Sequence, residues 1–180
     1  SSLNEITTQM SSSLDPDQTL HLVASSIQRV VGGDLAVIFL LSQDGEELVL
    51  AEASRLSPQL SERLSLIPVM DTTWSEAIRQ GRPVTHATRR ARGLPADLDE
   101  ELKQAGVDGS VDVPLATPSG PIGMATVFFR DSARLNPEQL DLLETFVAQS
   151  AIAVANARAH AATDQALQRQ VDQLSRLEAI

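Results

Sequence analysis

Seven consecutive apolar residues, Leu35-Ala36-Val37-Ile38-Phe39-Leu40-Leu41, constrain this chain more than any other feature. A strand with one face in solvent alternates polar and apolar residues, whereas a strand with no polar residue needs cover on both faces. Turn residues Ser42-Gln43-Asp44-Gly45 follow, and Glu47 to Ala53 returns, which predicts a hairpin. A second hairpin is expected from Ser110 to Ala116 and Ile122 to Phe129, joined by Thr117-Pro118-Ser119-Gly120-Pro121. The chain must therefore supply two covering layers for one sheet.

The helices are legible from spacing and caps. Leu3, Ile6, Met10 and Leu14 recur at helical steps, so residues 1–14 read as a connector helix. Asp15-Pro16-Asp17-Gln18 then opens a second helix, with Asp15 as cap and Pro16 at the first helical position, and Gly32-Gly33 ends it. Leu20, Val23, Ala24, Ile27, Val30 and Val31 give it one apolar stripe. Asn136-Pro137-Glu138-Gln139 repeats the same cap grammar, and nothing after it breaks a helix before Ile180. Such a helix would be roughly 65 Å long, more than a small domain can cover. Its tail carries Leu167, Val171 and Leu174 at four- and three-residue steps, with Leu177 slightly out of register, a seam that usually finds a partner helix.

Between the hairpins, residues 54–106 lose this regularity. Short helices are expected near Pro58 to Leu64, from Thr73 to Gln80 and from Asp97 to Ala105. A brief strand is expected near Pro83 to Thr85, and a basic loop through Arg89, Arg90 and Arg92, solvated by default and otherwise a contact for an anionic ligand such as a nucleotide.

Composition removes several functions. The chain has 180 residues, a net charge of -10, no cysteine, no tyrosine and one tryptophan. The acidic balance argues against nucleic acid and anionic membrane as partners. Without cysteine there is no disulfide, thiolate metal site or thiol catalysis. No apolar run approaches the ~20 residues of a membrane span, and no signal peptide opens the chain, so a cytoplasmic domain is expected. No phosphate loop, HExxH motif or plausible Ser/His/Asp set is present, and the chain does not read as an enzyme.

Four segments in this order resemble a GAF domain, the small-molecule-binding module of many signalling proteins. Gly33 to Leu41 resembles its first strand, and Thr73 to Val84 its middle helix and Gly-x-Pro exit. Val113-Pro114-Leu115 with Pro121-Ile122-Gly123-Met124 is similar to its "VPL…IG" hairpin, and Leu135 to Leu143 to the start of its last helix. The resemblance implies an α+β fold: a central antiparallel sheet of about five or six strands, terminal helices on one face, and a loop and helix cap over a ligand pocket on the other. Residues 1–14 would be a connector, 15–160 the domain, and 161–180 a signalling helix. A PAS-like fold fits less well, since it lacks the paired N-terminal helices and the Val-Pro-Leu hairpin.

By the same resemblance, Ser110 and Asp112 point into the pocket. Strand alternation adds Val37, Phe39, Met124, Thr126 and Phe128 to that face, and leaves Gly123, Ala125 and Val127 small enough for helices to pack behind it. Trp74 and Ile78 would wall the pocket from the middle helix. Asp112 is the out-of-pattern charge, and if buried it needs a donor from a ligand or an arginine. His86 follows the short strand beside the cap, while His21 and His160 should face solvent. Some GAF domains bind haem, for which His86 is the ligand-type residue, but a lone histidine does not favour it. A covalent bilin would need a cysteine, and the cyclic-nucleotide signature is absent as a set. The expected function is a non-catalytic sensor of an unidentified small molecule in a bacterial signalling protein. A sensor histidine kinase is the leading parent and a cyclic-dinucleotide enzyme the other, with a homodimer through the terminal helices and an effector further along the chain. The alternative is a ligand-free spacer, which would fill the Phe39/Asp112/Phe128 face with its own side chains.

Overall fold

The computed structural model describes residues 15–70, 72–131 and 135–178. The expected connector helix of residues 1–14 lies outside them. Helix α1 (Pro16–Val31) starts where Asp15 Oδ1 accepts the Asp17 amide at 3.0 Å and stops at Gly32, whose φ of 69° suits glycine. Strands β1 (Leu35–Leu41) and β2 (Glu47–Ala53) form the first hairpin. The middle segment holds α2 (Pro58–Leu64), β3 (Leu66–Pro68), a 3-10 turn (Thr73–Ser75) running into α3 (Glu76–Gln80), β4 (Val84–His86), α4 (Arg89–Arg92) and α5 (Ala96–Gln104). Strands β5 (Gly109–Thr117) and β6 (Gly120–Phe129) make the second hairpin, and α6 (Pro137–Glu178) completes the chain.

The strands form one antiparallel six-stranded sheet in the order β3-β2-β1-β6-β5-β4. Central β1 lies between β2 and β6 and is covered on both faces, which is why its run needs no polar residue. Pro114 is tolerated inside β5 because β4 pairs only with Ser110 to Asp112, leaving an open edge beyond.

Two separate cores follow from strand alternation. Ala36, Ile38, Val111, Val113, Leu115, Ala125 and Val127 face α1 and α6, against Val23, Ile27, Phe146, Val147 and Val154. Leu35, Val37, Phe39, Met124 and Phe128 face the middle segment, against Leu60, Leu64, Trp74, Ala77, Leu98 and Leu102. At about 25 cal/mol per Å² of apolar area, each wholly buried Leu or Phe contributes roughly 1.5–3 kcal/mol. Both layers are therefore structural, and the middle segment is a cap rather than a loose loop.

Three expectations need correction, and one strand was not expected. Leu66–Pro68 is an edge strand on β2, too short to show alternation. The middle helix begins as a 3-10 turn, so Trp74 precedes α3 proper. Arg89–Arg92 is not a solvated loop but a helical turn, with Thr88 capping its start and Gly93 (φ 69°) ending it. Gly123 does not serve helix packing: a Cβ there would lie 2.1 Å from the Phe39 carbonyl oxygen, so glycine lets β6 approach β1.

Helix α6 opens with a reciprocal capping box, Gln139 N donating to Asn136 Oδ1 at 2.8 Å and Asn136 N to Gln139 Oε1 at 3.0 Å. Its last buried residue is Ala157, and every residue from 162 to 178 is exposed. Among the described residues, no helix is long and apolar enough to cross a membrane.

Candidate ligand site under the cap

A buried ionic cluster sits between sheet and cap. Antiparallel register places Asp112 of β5 opposite Thr126 of β6 and Val84 of β4, and Ser110 opposite Phe128 and His86. Asp112 is 0% exposed, so its carboxylate must be satisfied from within. Arg92 of α4, 1% exposed, meets it end-on, Nη2 to Oδ2 at 2.8 Å and Nη1 to Oδ1 at 3.2 Å. Arg92 Nη1 also donates to Ser110 Oγ at 2.7 Å, and Thr126 Oγ1 donates to Asp112 Oδ1 at 2.7 Å. His86 brings Nε2 to 3.5 Å from Asp112 Oδ2.

The other side of the guanidinium is aromatic. Arg92 Cζ lies 3.8 Å from the centroid of the Trp74 ring, within cation–π range. Trp74 meets Phe39 and Phe128 edge-on, at centroid distances of 5.7 and 6.3 Å. The arginine thus occupies a box with a carboxylate and the Ser110 hydroxyl at its end and an indole over its face, while Thr126 holds the carboxylate. Its fit is incomplete: among the described residues, neither Arg92 Nε nor His86 Nε2 has a hydrogen-bond partner.

Neighbouring Arg89 holds α4 in place. Its side chain donates to Asp99 Oδ1 at 3.1 Å and to the Val107 carbonyl at 2.5 Å, and its amide donates to Asp108 Oδ1 at 3.2 Å.

Beyond Trp74 the cap opens into a cleft of about 570 Å³, with Trp74, Ile67, Pro68, Leu94, Pro95 and Leu98 among its walls. Arg63 is its charged member, paired with Asp97 and, at 3.9 Å, with Glu101. A volume of this size suits a small organic molecule.

The expected pocket residues separate into three groups. Trp74, His86, Ser110, Asp112 and Thr126 gather around Arg92. Val37, Phe39, Met124 and Phe128 are wholly buried core under the cap, and Ile78 is half-buried against the same cluster. Of the ten, Trp74 alone walls the cleft. His21 is exposed, 3.8 Å from Glu52, and His160 is exposed on α6. The residue that sequence reasoning misplaced is Arg92. Two signals pointed to it: the Thr88 cap and Gly93 stop around Arg89–Arg92, and the need of a buried Asp112 for a donor. A haem does not fit these residues. The imidazole Nε2 faces the Asp112 carboxylate, and His86 is not a wall of the cleft.

A curled six-stranded antiparallel sheet between a helical layer and a helix-and-loop cap is the architecture of the GAF class of domains. Similarity to solved structures agrees with it. The GAF domain of a phosphoenolpyruvate-protein phosphotransferase from Coxiella burnetii has a TM-score of 0.75 at 20% identity, covering 89% of this chain and 94% of that one. The second GAF domain of DevS from Mycobacterium smegmatis has a TM-score of 0.65 at 24% identity, covering 83% and 99%. A domain of a protein described as a two-component sensor histidine kinase from Sinorhizobium meliloti has a TM-score of 0.65 at 18% identity, covering 79% and 92%. No curated protein matches the chain. The family profile described as "GAF domain" matches residues 13–155, and the chain belongs to the GAF domain family.

Proposed function

We propose that this GAF domain is a non-catalytic sensing module of a cytoplasmic bacterial signal-transduction protein, with a sensor histidine kinase as its parent. A small molecule seated under the cap would favour one of two arrangements of cap and sheet, and α6 would carry that bias onward. The observation that carries this reading is the cleft behind Trp74. One indole walls a ligand-sized space and also covers the ion pair that joins cap to sheet, so occupancy on one side is felt on the other. The likeness to the Sinorhizobium meliloti kinase domain supports the choice of parent.

Helix α6 supports a homodimer as the working unit. At 100° per residue, Leu142, Ile152, Leu167, Val171, Leu174 and Leu177 fall within an arc of roughly 120°, opposite the side that packs on the domain. All six are at least 40% exposed. A parallel second copy of α6 is the partner that such a stripe fits.

A ligand-free spacer remains the second reading, favoured by one observation: Phe39, Asp112 and Phe128 are already covered by Trp74 and Arg92. Native mass spectrometry of the purified protein, followed by a metabolite screen read by thermal shift and by emission of the single tryptophan, separates the two. A stoichiometric added mass, or a compound that raises Tm and moves Trp74 emission, is the expected result. A bare mass and no response across the screen would overturn sensing in favour of the spacer.

A further inference from the structure

The box around Arg92 has the chemistry of a cation-binding site. A carboxylate held by Thr126, the Ser110 hydroxyl and an indole face offer negative charge, acceptors and a π surface, the groups that recognise a guanidinium or ammonium ion. The carboxylate and the hydroxyls are no natural lining for an apolar core, and each of the four side chains is at least 97% buried. We infer that Asp112, Ser110, Thr126 and Trp74 form a binding site for a guanidinium or primary-ammonium compound, and that Arg92 is its built-in occupant.

Two observations make Arg92 a displaceable occupant. It binds imperfectly, since its Nε–H is buried without an acceptor among the described residues. A free ligand is not tied to a backbone and can align all of its donors with the carboxylate and the Ser110 hydroxyl. The arginine is also carried on a helix of one turn, Arg89–Arg92, followed directly by Gly93 and Leu94 in the wall of the cleft. A ligand entering through the cleft would take Asp112 under the Trp74 ring and turn the Arg92 side chain outward. The carboxylate would stay neutralised, one guanidinium replacing another, and the ammonium end of a longer compound such as agmatine would remain in the open cleft. An anion would instead have to share the space with Asp112. The inference deepens the sensing reading by naming its ligand class, and it rests on that reading for its consequence at α6.

The test is rescue of an emptied site. Arg92→Ala should gain several degrees in Tm with low-millimolar ethylguanidinium, through ligand bound to the folded state. The double variant Arg92→Ala/Asp112→Asn should gain none. The wild-type protein should bind agmatine with a change in Trp74 emission, and R92A should bind it about tenfold or more tightly, because self-occupancy lowers apparent affinity. If R92A does not fold alone, ethylguanidinium should restore its circular dichroism. Failure to stabilise or refold R92A, or equal response of the double variant, would overturn the site. Silence of the wild-type protein toward agmatine at concentrations that saturate R92A would overturn displacement. A metabolite screen that returns only anionic or neutral ligands leaves sensing intact and removes the cation class. An empty screen with R92A rescue intact removes sensing and leaves the cation site.

Discussion

Asp112 and Arg92 show how one pair fixes the relation between two layers. A buried pair gains little over apolar residues of the same shape, because desolvation offsets the Coulomb attraction. Losing one member is costly, since the other is left buried and charged. Arg92→Ala should therefore lower unfolding free energy by about 3–5 kcal/mol, whereas Arg92→Met with Asp112→Leu should cost much less. Urea denaturation of the single and double variants checks this, and equal losses would show that the apolar pair cannot be packed. Asp44, fully exposed in the first hairpin turn, presents a gentler case. It accepts from Ser42 Oγ at 2.5 Å and from the Glu46 amide at 3.0 Å, which hold its carboxyl below the ordinary carboxylate range. A lowered folded pKa adds stability that is present above the unfolded value and lost as pH falls through the folded one. Asp44→Asn should thus flatten the acid limb of the Tm–pH curve and leave its neutral slope unchanged.

At the scale of elements, legibility followed length and local chemistry. Pro16–Val31, Leu35–Leu41, Glu47–Ala53 and Pro58–Leu64 appear in the structure with the bounds that their caps and periods announce. Leu66–Pro68 was invisible, because three residues hold less than two periods of alternation and the strand exists only by pairing with β2. The single turn Arg89–Arg92 was misjudged because its residues look solvated, and burial of an arginine is decided by a partner twenty residues away on β5. For α6, the reciprocal Asn136–Gln139 box makes a direct prediction. Asn136→Ala should cost about 0.5–2 kcal/mol in urea unfolding while leaving the domain folded. A cost near zero would mean that tertiary packing from Leu143 onward already fixes the helix start.

For the whole molecule, the two cores and the overhang divide stability from communication. Residues 162–178 are all exposed, and Ala162 and Gln165 only edge a surface groove beside Leu20, so removal of 166–178 should leave the unfolding transition of a dilute sample unmoved. The same truncation, or Leu167→Glu with Leu174→Glu, should abolish self-association in sedimentation equilibrium. A dimer that survives both changes would place the interface on the domain and overturn the α6 seam.

The sequence by itself determined the sheet with both faces covered, the alternation that puts Ser110 and Asp112 on one face, the ends of the main helices, and the GAF resemblance, which turns that face toward the cap. These are properties of periods, caps and turns within a few residues of one another. Tertiary structure alone decided that Arg92 enters the core, that Trp74 lies between it and a cleft, and that Gly123 serves backbone approach to Phe39. Each depends on atoms brought together from distant segments, and on a carboxylate that could not be buried until one of several candidate cations reached it.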